Sequence, residues 1–564
     1  MKNYLLTLAI FFGISTTAQN KYPKDYFRSP LNIPIKLSGT FGELRNNHFH
    51  AGIDIKTNRR IGLPVYATAD GYISRIKVAI WGYGKVIYIN HPNGYTTVYA
   101  HLNKFGDEIQ EYVKNIQYEK ESYETGNIFP KKDQFIVAKG QIIGYSGRTG
   151  GFVAPHLHYE IRNTKTEKII NPLLFGIKIK DSIAPKIKKL IAYPIGLNSK
   201  INKSLKNQSL SIKKDSLNNY TANRLSASGR IGFGINVYDL LGKELNKNGI
   251  YSLEMKINGK RKYYHDVETF SFSESKFINL LIDYEYFSKY RTRIQKTFRE
   301  KENKLSIYEG LIENGSITIS EGLNYQVEII AKDFIGNRSS IKIPVIGIKG
   351  ETMINQQRDT TAYKIIKNKF QKFSKDGVTI AFPKNTFYKD LFLNFSVNER
   401  NATIHEPTIP LDKKFTITFD SIMYNKSELD HIYIANMNNK KYPYYMDTRK
   451  KSNKIFTTTK TLGKYGLITD NQIPKIYNPN FKSNDWVSRL RYLTIKISDS
   501  QSGIKSYEAY IDNEWILMEY DVKKKKLTYD FRDKKLVGSK HIFKLVVSDN
   551  VGNTNTYNSS FYRK

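Results

Sequence analysis

Three short histidine-containing segments near the start of the chain carry the residue types that metal-assisted hydrolysis requires. They are His50-Ala-Gly-Ile-Asp54, Tyr99-Ala-His101-Leu102 and Pro155-His156-Leu-His158. The chain has 10 histidines in 564 residues, and six of them lie between positions 48 and 158, a density that packing alone does not explain. Together the segments offer imidazoles and one carboxylate as ligands for zinc, with further imidazoles left to move protons.

The spacing within these segments favours extended chain. His156 and His158 are two residues apart, so on a strand their side chains leave the same face. His50 and Asp54 are four apart and also share a face on a strand, and Gly52 between them would let another backbone or a metal approach closely. Three protein ligands with a fourth position left open are typical of catalytic zinc, and the absence of cysteine excludes a thiolate structural site.

Further short sequence motifs, between and around these segments, complete a recognisable pattern. In chain order they are Gly39-Thr-Phe-Gly-Glu-Leu-Arg45, Gly62-x-Pro64-Val65, Ala69-Asp-Gly71, Trp81-Gly-Tyr-Gly84, His91-Pro-Asn-Gly94, Lys139-Gly-Gln-Ile-Ile-Gly144, Gly147-x-Thr-Gly150 and Pro155-His-Leu-His-Tyr-Glu160. With the three histidine segments, this order resembles the core of the lysostaphin-type (LytM-like) zinc metalloendopeptidases over roughly residues 37 to 175.

The resemblance implies a fold, a metal and a set of roles. The fold would be an antiparallel β-sheet core of the duplicated hybrid motif type. One Zn²⁺ per chain would be bound by His50, Asp54 and His158, while His101 and His156 would act in catalysis. The implied reaction is peptide-bond hydrolysis by a metal-activated water, whose proton His101 and His156 would accept.

Other roles for these residues remain open at this stage. His101 and His156 could orient the ligands without transferring protons, and the three predicted ligands could be purely structural. His48 is two residues from His50 and is an alternative ligand. His91 stands between two apolar runs in a His-Pro-Asn-Gly word, which predicts a hairpin turn.

One departure from the family pattern is an insert over about residues 107–134. Its apolar residues Ile109, Tyr112, Val113 and Ile116 follow a helical period. We expect a helix beside the substrate groove, which leaves specificity undetermined.

The first residues predict export. Lys2 precedes a short apolar run, Leu5 to Ile14, and Thr16-Thr-Ala18 is a small-residue cleavage site, so we predict a signal peptide over residues 1–18. The run is too short to span a bilayer, and we expect no other segment of the sequence to cross a membrane. The predicted location is the periplasm, the cell envelope or the extracellular space.

Length and composition predict several β-rich domains. An aromatic content of 13% favours strands, and 564 residues exceed one hydrophobic core. We predict a mainly β protein, with the peptidase domain at 19–178 followed by about three β-sandwich units. These are an immunoglobulin-like sandwich with insertions at 179–350, a β-rich domain at 351–470 and a second immunoglobulin-like sandwich at 471–564.

The two predicted sandwiches share an internal repeat. Asp181-Ser-Ile-Ala-Pro-Lys-Ile recurs as Asp470-Asn-Gln-Ile-Pro-Lys-Ile, and Asp333-Phe-Ile-Gly-Asn recurs as Asp549-Asn-Val-Gly-Asn. Between these words, Asp239 corresponds to Asp499. Aspartates in such turns usually cap their own backbone, and calcium binding is the alternative.

The net charge of +37 favours encounter with polyanions. For an exported protein these would be anionic envelope polymers, with peptidoglycan peptides as the substrate; no binding fold for nucleic acid is evident. The alternatives to a peptidoglycan endopeptidase are a latent or non-hydrolytic wall-binding scaffold or activator and an extracellular protease.

Overall fold

The computed structural model describes residues 21–152, 154–215, 218–242, 246–350, 360–421, 425–439 and 441–564. The predicted signal peptide lies outside the described residues. The described chain is mainly β, as predicted, with four successive groups of strands, each around its own buried core. We call these groups the first to fourth units.

The first unit has twelve short strands and one long helix. The strands are β1 (Leu37–Gly39), β2 (Ile53–Lys56), β3 (Pro64–Tyr66), β4 (Gly71–Val78), β5 (Lys85–Asn90), β6 (Tyr95–Leu102), β7 (Lys104–Phe105), β8 (Gly126–Ile128), β9 (Ile136–Val137), β10 (Ile142–Tyr145), β11 (His156–Asn163) and β12 (Ile169–Ile170). The helix α1 is Asp107–Glu119, and a 3₁₀ turn covers Pro172–Phe175.

The main sheet of the first unit places its strands in the order β1-β2-β11-β6-β5-β4-β8, with antiparallel neighbours. Strands β5 and β6 are rich in β-branched and aromatic residues and are buried almost throughout. The turn between them contains His91, which confirms the predicted hairpin. The predicted helix of the insert is α1, which buries Ile109 and Val113 against this core.

The second unit has twelve strands, eleven of which form one hydrogen-bonded sheet that folds around its core. The strands are β13 (Lys186–Ile201), β14 (Gln208–Leu210), β15 (Ile212–Lys214), β16 (Asn219–Ala222), β17 (Leu225–Tyr238), β18 (Ser252–Ile257), β19 (Lys260–Asp266), β20 (Thr269–Phe270), β21 (Gln295–Lys296), β22 (Ile317–Ile319), β23 (Asn324–Lys332) and β24 (Arg338–Gly347). Short helices are α2 (Ile278–Leu281) and α3 (Tyr284–Tyr290), with 3₁₀ turns at Ser275–Phe277 and Glu313–Gly315.

The second unit is fused to the first. Strand β20 pairs with β12 and so extends the main sheet of the first unit. Phe270, Ile278 and Leu281 are buried in the core of the first unit. The first core therefore depends on residues far beyond the segment that resembles the peptidase family.

The third unit has three sheets around one core, and the fourth unit has two sheets around another. The third has β25 (Tyr363–Ile365), β26 (Gln371–Lys375), β27 (Val378–Phe382), β28 (Leu391–Leu393), β29 (Phe395–Asn398), β30 (Asn401–Ile404), β31 (Phe415–Asp420), α4 (Lys426–His431), β32 (Ile432–Asn436), β33 (Tyr444–Tyr445), β34 (Arg449–Lys451), β35 (Lys454–Thr459) and β36 (Gly463–Thr469). The fourth has β37 (Lys475–Tyr477), β38 (Asp485–Trp486), β39 (Tyr492–Ser498), β40 (Ile504–Ile511), β41 (Glu514–Trp515), β42 (Glu519–Asp521), β43 (Lys526–Asp530), β44 (Lys540–Asp549) and β45 (Thr554–Tyr562).

The fourth unit returns to the first. Trp515 and Leu517 are buried in the core of the first unit, whereas Ile516 and Met518 between them are buried in the core of the fourth. Alternate side chains of this extended segment thus serve two cores. Within the described ranges, no helix is both long and apolar enough to cross a bilayer.

Candidate metal centre

The structure brings the five predicted site residues together on neighbouring strands. Asp54 on β2 lies directly opposite His158 on β11, and His158 in turn lies opposite Ala100, which precedes His101 on β6. His156 leaves the same face of β11 as His158. The remaining member, His50, lies just before β2, and all five side chains are buried.

Gly52 has a geometric role in this arrangement. A Cβ at this position would lie 2.3 Å from the carbonyl oxygen of Tyr159 and 3.0 Å from His158 Nε2. The close approach of β2 to β11, and with it the placement of Asp54 beside His158, therefore requires glycine here.

Three of the five residues direct one atom each at a common point. His50 Nε2 is 3.1 Å from Asp54 Oδ1 and 3.1 Å from His158 Nδ1, and His158 Nδ1 is 2.8 Å from Asp54 Oδ1. Ligand atoms around a tetrahedral zinc, at its usual bond lengths, lie about 3.3–3.5 Å apart. The separations between the three atoms are thus within several tenths of an ångström of those around a bound zinc ion, so the three atoms could bind one small metal ion together.

Hydrogen bonds fix which nitrogen of each ligand candidate faces this point. His50 Nδ1 lies 2.8 Å from the carbonyl oxygen of Thr40, which only accepts, so Nδ1 carries the proton and Nε2 presents its lone pair. His158 Nε2 lies 2.9 Å from Glu160 Oε1 and donates to it, which leaves Nδ1 toward Asp54. Both rings are therefore oriented by an acceptor outside the centre, as is usual for metal-binding histidines.

The charges of the centre are strongly coupled. Burial acts to raise the pKa of Asp54, but His50 and His158 outweigh it and hold that pKa well below its usual range. Burial acts to lower the pKa of His158, but Asp54 and Glu160 prevail and raise it to about 9 without a bound metal. A metal ion bound at Nδ1 must therefore displace a proton at neutral pH.

His101 and His156 are held beside the three converging atoms. His101 Nδ1 donates to the carbonyl oxygen of Thr149 at 3.0 Å, and His156 Nδ1 donates to that of Ala154 at 2.9 Å. In each ring, Nε2 is therefore the unprotonated nitrogen with a free lone pair. His156 Nε2 is 3.7 Å from Asp54 Oδ1 and has no hydrogen-bond partner among the described residues. Burial lowers the pKa of both imidazoles, that of His101 to well below its usual value, so both are neutral at pH 7.

A buried charge network that the motif analysis did not identify supports His158. Glu160 accepts hydrogen bonds from His158, from the Tyr83 hydroxyl and from Arg162 Nε, the last at 2.6 Å. Burial acts to raise the pKa of Glu160, but Arg162 and His158 lower it to about 2. The sequence signal for this network is the two-residue period of His158, Glu160 and Arg162 along one strand face.

The other histidines of the segment lie apart from the centre. His48 is exposed, and its Nδ1 contacts the carbonyl oxygen of Asn46. Its position does not support the alternative that it is a ligand. His91 is buried in the hairpin, between the Asp70 carbonyl and the Thr97 hydroxyl.

The mouth of the centre is formed by the loop before β11. The Phe152 ring, 39% exposed, lies with its centroid 4.2 Å from that of His101 and 5.1 Å from that of His156. Gly150 adopts φ +89°, and a Cβ there would lie 2.1 Å from the Gly82 carbonyl oxygen, so the loop turns tightly against the β4–β5 connection.

A cavity of about 410 Å³ continues from this loop between the first and fourth units. Lys85 forms an ion pair with Glu519 at 2.6 Å, Arg148 with Asp521, and Lys114 of α1 with Asp533. The predicted insert and the last unit thus meet at this cavity, which Lys524 and Lys526 also line.

Comparison with known proteins identifies the first unit. The family model described as Peptidase family M23 matches residues 48–118, and the Zu5-like domain model matches residues 362–470. The DD-carboxypeptidase/endopeptidase Mpg of Neisseria meningitidis serogroup B is 36% identical over 135 residues, covering 23% of this chain and 25% of that protein.

Two further relatives show the same partial coverage. The peptidoglycan DD-endopeptidase ShyA of Vibrio cholerae is 31% identical over 140 residues, covering 24% of this chain and 26% of its own length. Lysostaphin of Staphylococcus staphylolyticus is 30% identical over 142 residues, covering 25% and 22%. The chain thus spans about a quarter of the length of the curated relatives it matches.

The first unit therefore contains a domain of the Peptidase family M23 type, and we call it the metallopeptidase domain. Its sequence is similar to that of lysostaphin, the type that its motifs predict.

Proposed function

We propose that this protein is an exported zinc metalloendopeptidase that hydrolyses peptide bonds of peptidoglycan, in stem peptides or cross-links. The observation that carries the proposal is the convergence of His50 Nε2, Asp54 Oδ1 and His158 Nδ1 beside two neutral imidazoles. The substrate class is supported by relatives named peptidoglycan DD-endopeptidase and lysostaphin.

The donor set fits zinc. Two imidazole nitrogens and one carboxylate oxygen are a usual catalytic set for this ion, which leaves a further position for water or substrate. When bound, zinc would polarise the scissile carbonyl and lower the pKa of a bound water to about 7.

His101 and His156 supply the proton transfers in this proposal. Each presents Nε2 to the centre, with its Nδ1–H anchored on a backbone carbonyl. A neutral imidazole accepts the proton of the attacking water, and the resulting imidazolium donates a proton to the leaving amine. The second imidazole accepts a hydrogen bond from the water at its Nε2, which keeps the attacking group aligned.

The surroundings of the centre fit an acidic peptide substrate. Phe152 packs against the two imidazoles and lines the adjoining cavity together with Lys524 and Lys526. Carboxylates along a wall peptide would pair with these lysines. The net charge of +37 would favour anionic envelope polymers in the same way, and the predicted signal peptide supports action in the periplasm or cell envelope.

The test is digestion of purified peptidoglycan by residues 19–564, with products identified by mass spectrometry. We expect release of peptide fragments by the zinc-loaded protein, and no release after chelation or in His158→Ala. His48→Ala is the matched control, because it removes an exposed histidine that is close to His50 in sequence but lies apart from the centre, and it should leave release unchanged.

Three outcomes would contradict the proposal. A protein that binds no zinc would exclude the metallopeptidase reaction. A protein that holds one zinc and cleaves extracellular proteins but releases nothing from peptidoglycan would reject the substrate. Zinc binding without any hydrolysis would reject the enzymatic activity.

A further inference from the structure

Two clusters of three aspartates occupy the same place in the second and fourth units. The first consists of Asp181, Asp239 and Asp333, and the second of Asp470, Asp499 and Asp549. Within each cluster, one carboxylate oxygen from each aspartate lies within 4.8 Å of the others. The clusters lie outside the metallopeptidase centre and contain neither histidine nor cysteine.

The hydrogen bonds around the two clusters are equivalent. Asp333 Oδ1 accepts from the backbone N–H groups of Gly336 and Asn337, and Asn337 Nδ2 donates to Asp333 Oδ2 and to the Asp181 carbonyl. Asp549 Oδ1 accepts in the same way from Gly552 and Asn553, and Asn553 Nδ2 donates to Asp549 Oδ2 and to the Asp470 carbonyl. Each unit thus holds its first segment against the turn between its last two strands.

An oxygen without a hydrogen-bond partner accompanies each cluster, at equivalent positions of the repeat. Asn248, in the word Asn248-Gly-Ile, is 2% exposed, and its Oδ1 has no partner among the described residues. Ser502, in the word Ser502-Gly-Ile, is 3% exposed, and its Oγ has none either. A buried oxygen normally finds a hydrogen-bond donor, so two unpaired oxygens at one repeat position indicate a ligand.

Local geometry places both residues beside the aspartates. Asn248 exchanges both backbone hydrogen bonds with Asp239, at 2.9 and 3.0 Å, so their side chains leave the same face as a cross-strand pair. The backbone N–H of Ser502 donates to Asp470 Oδ2 at 3.0 Å. In the first cluster, Asp239 is itself 2% exposed, and its Oδ1 also has no partner.

The negative charge of the clusters is not neutralised by side chains. None of the six aspartates forms an ion pair with a lysine or arginine of the described residues. Burial, with Asp181 and Asp333 as neighbours, raises the pKa of Asp239 to about 7. Backbone N–H groups cap the carboxylates of the second cluster. Three like charges at this separation nevertheless repel one another, and a cation between them removes that repulsion.

We propose that each cluster binds one Ca²⁺ through its three aspartates and the adjacent oxygen of Asn248 or Ser502. Carboxylate, amide and hydroxyl oxygens are the ligands of hard cations, and a site built only from them favours calcium over zinc. The bound ion would fix the entry of the second unit after the metallopeptidase domain, and the entry of the fourth unit after the third.

The first of the two sites also adjoins the metallopeptidase domain. Gly249, which follows Asn248, accepts a backbone hydrogen bond from Thr40 Oγ1 and donates one to it. The carbonyl oxygen of the same Thr40 orients His50. The calcium site and the predicted zinc ligand are therefore joined through one residue.

The test is direct calcium binding to residues 19–564 after treatment with EGTA and dialysis, measured by equilibrium dialysis with ⁴⁵Ca²⁺. We expect two ions per chain, with dissociation constants of about 0.1–1 mM, as in extracellular modules. Asp239→Asn and Asp499→Asn should each lose one ion, and the double variant both. The matched control is Asp376→Asn, an exposed turn aspartate at φ 44°, which should keep two.

Thermal unfolding separates loss of the site from loss of the fold. Calcium should raise the Tm of the wild type but not that of the double variant, whose calcium-free Tm should equal or exceed that of the wild type because like charges are removed. Should either aspartate variant misfold, Asn248→Ala and Ser502→Ala keep the charges and should each weaken one site several-fold. Absence of saturable binding up to about 10 mM Ca²⁺, equal binding of Mg²⁺, or unchanged binding in the folded double variant would overturn the proposal.

Discussion

Glu160 Oε1 lies 2.9 Å from His158 Nε2, and the other oxygen of Glu160 is held by Arg162. The carboxylate is fully buried and thus fixes both the orientation and the proton of the imidazole that faces Asp54. The hydrogen bond thus joins His158, a predicted metal ligand, to Glu160, which is not itself one of the predicted ligands.

Glu160→Gln should lower zinc affinity by about 10–100-fold, because the outer carboxylate no longer holds the His158 tautomer. The affinity can be measured by competition with a chelating dye. The variant should also be less stable by about 3–5 kcal/mol, since the buried Arg162 guanidinium keeps only the exposed Glu167 as a counter-charge.

The double variant Glu160→Gln/Arg162→Gln separates these two effects. It removes both buried charges, so stability should recover relative to Glu160→Gln while zinc affinity stays low. Wild-type zinc affinity in Glu160→Gln would contradict an orienting role for this carboxylate.

His101→Ala and His156→Ala should each lower kcat by about 10²–10⁴-fold with zinc content unchanged, because they remove a proton-transfer group and no ligand. His50→Ala should instead lose zinc and activity together. Zinc content by mass spectrometry and kcat on a wall peptide distinguish the cases. If His101→Ala or His156→Ala lost zinc, the residue would act by holding the ligands, the alternative that the sequence leaves open.

The sequence predicts that His156 and His158 lie on one face of a strand, but it does not predict which elements surround them. The two-residue spacing of His156 and His158 is a local property of extended chain, and the structure places both on β11. The pairing of β11 with β2 and β6 joins segments about 60 to 100 residues apart, and only the family resemblance indicated it.

Contacts made by later units had no local signal at all. The burial of Phe270 in the first core, and the ion pair of Lys85 with Glu519, depend on which surfaces meet after each unit has folded. An alternating hydrophobic pattern indicates that one face of a strand is buried, but it does not indicate which other element packs against that face. The role of Thr40 also had no local signal, because its backbone carbonyl would orient His50 whatever side chain stood at position 40.

The acid limit of activity should lie below pH 6.5 when zinc is saturating. His101 and His156 have lowered pKa values, so each remains neutral and able to accept a proton at a pH where an ordinary histidine is half protonated. When zinc is limiting, activity should instead decline as pH falls below about 9, because protons compete for His158.

Profiles of kcat/KM against pH at the two zinc concentrations measure both limits. The zinc content of each sample serves as the control for metal loss. Coincident profiles, or a limit at or above pH 6.5 with zinc saturating, would contradict the assigned protonation states.

Trp515→Ala should release the fourth unit from the metallopeptidase domain without unfolding it. Trp515 is buried in the first core and packs edge-on against Tyr118 of α1, with ring centroids 5.4 Å apart. The next residue, Ile516, belongs to the core of the fourth unit, which the substitution leaves intact. Loss of a buried tryptophan costs about 3–5 kcal/mol, so amide exchange in α1 should accelerate by about 100-fold or more.

Hydrogen exchange read by mass spectrometry over residues 107–119 measures this release. Trp486→Ala provides the matched control, because Trp486 lies in the same unit but is 60% exposed and stacks on Tyr562. It should leave the exchange of α1 at the wild-type rate. Equal exchange in Trp515→Ala and Trp486→Ala would show that the ion pairs of Lys85, Lys114 and Arg148 hold the two units together without this apolar contact.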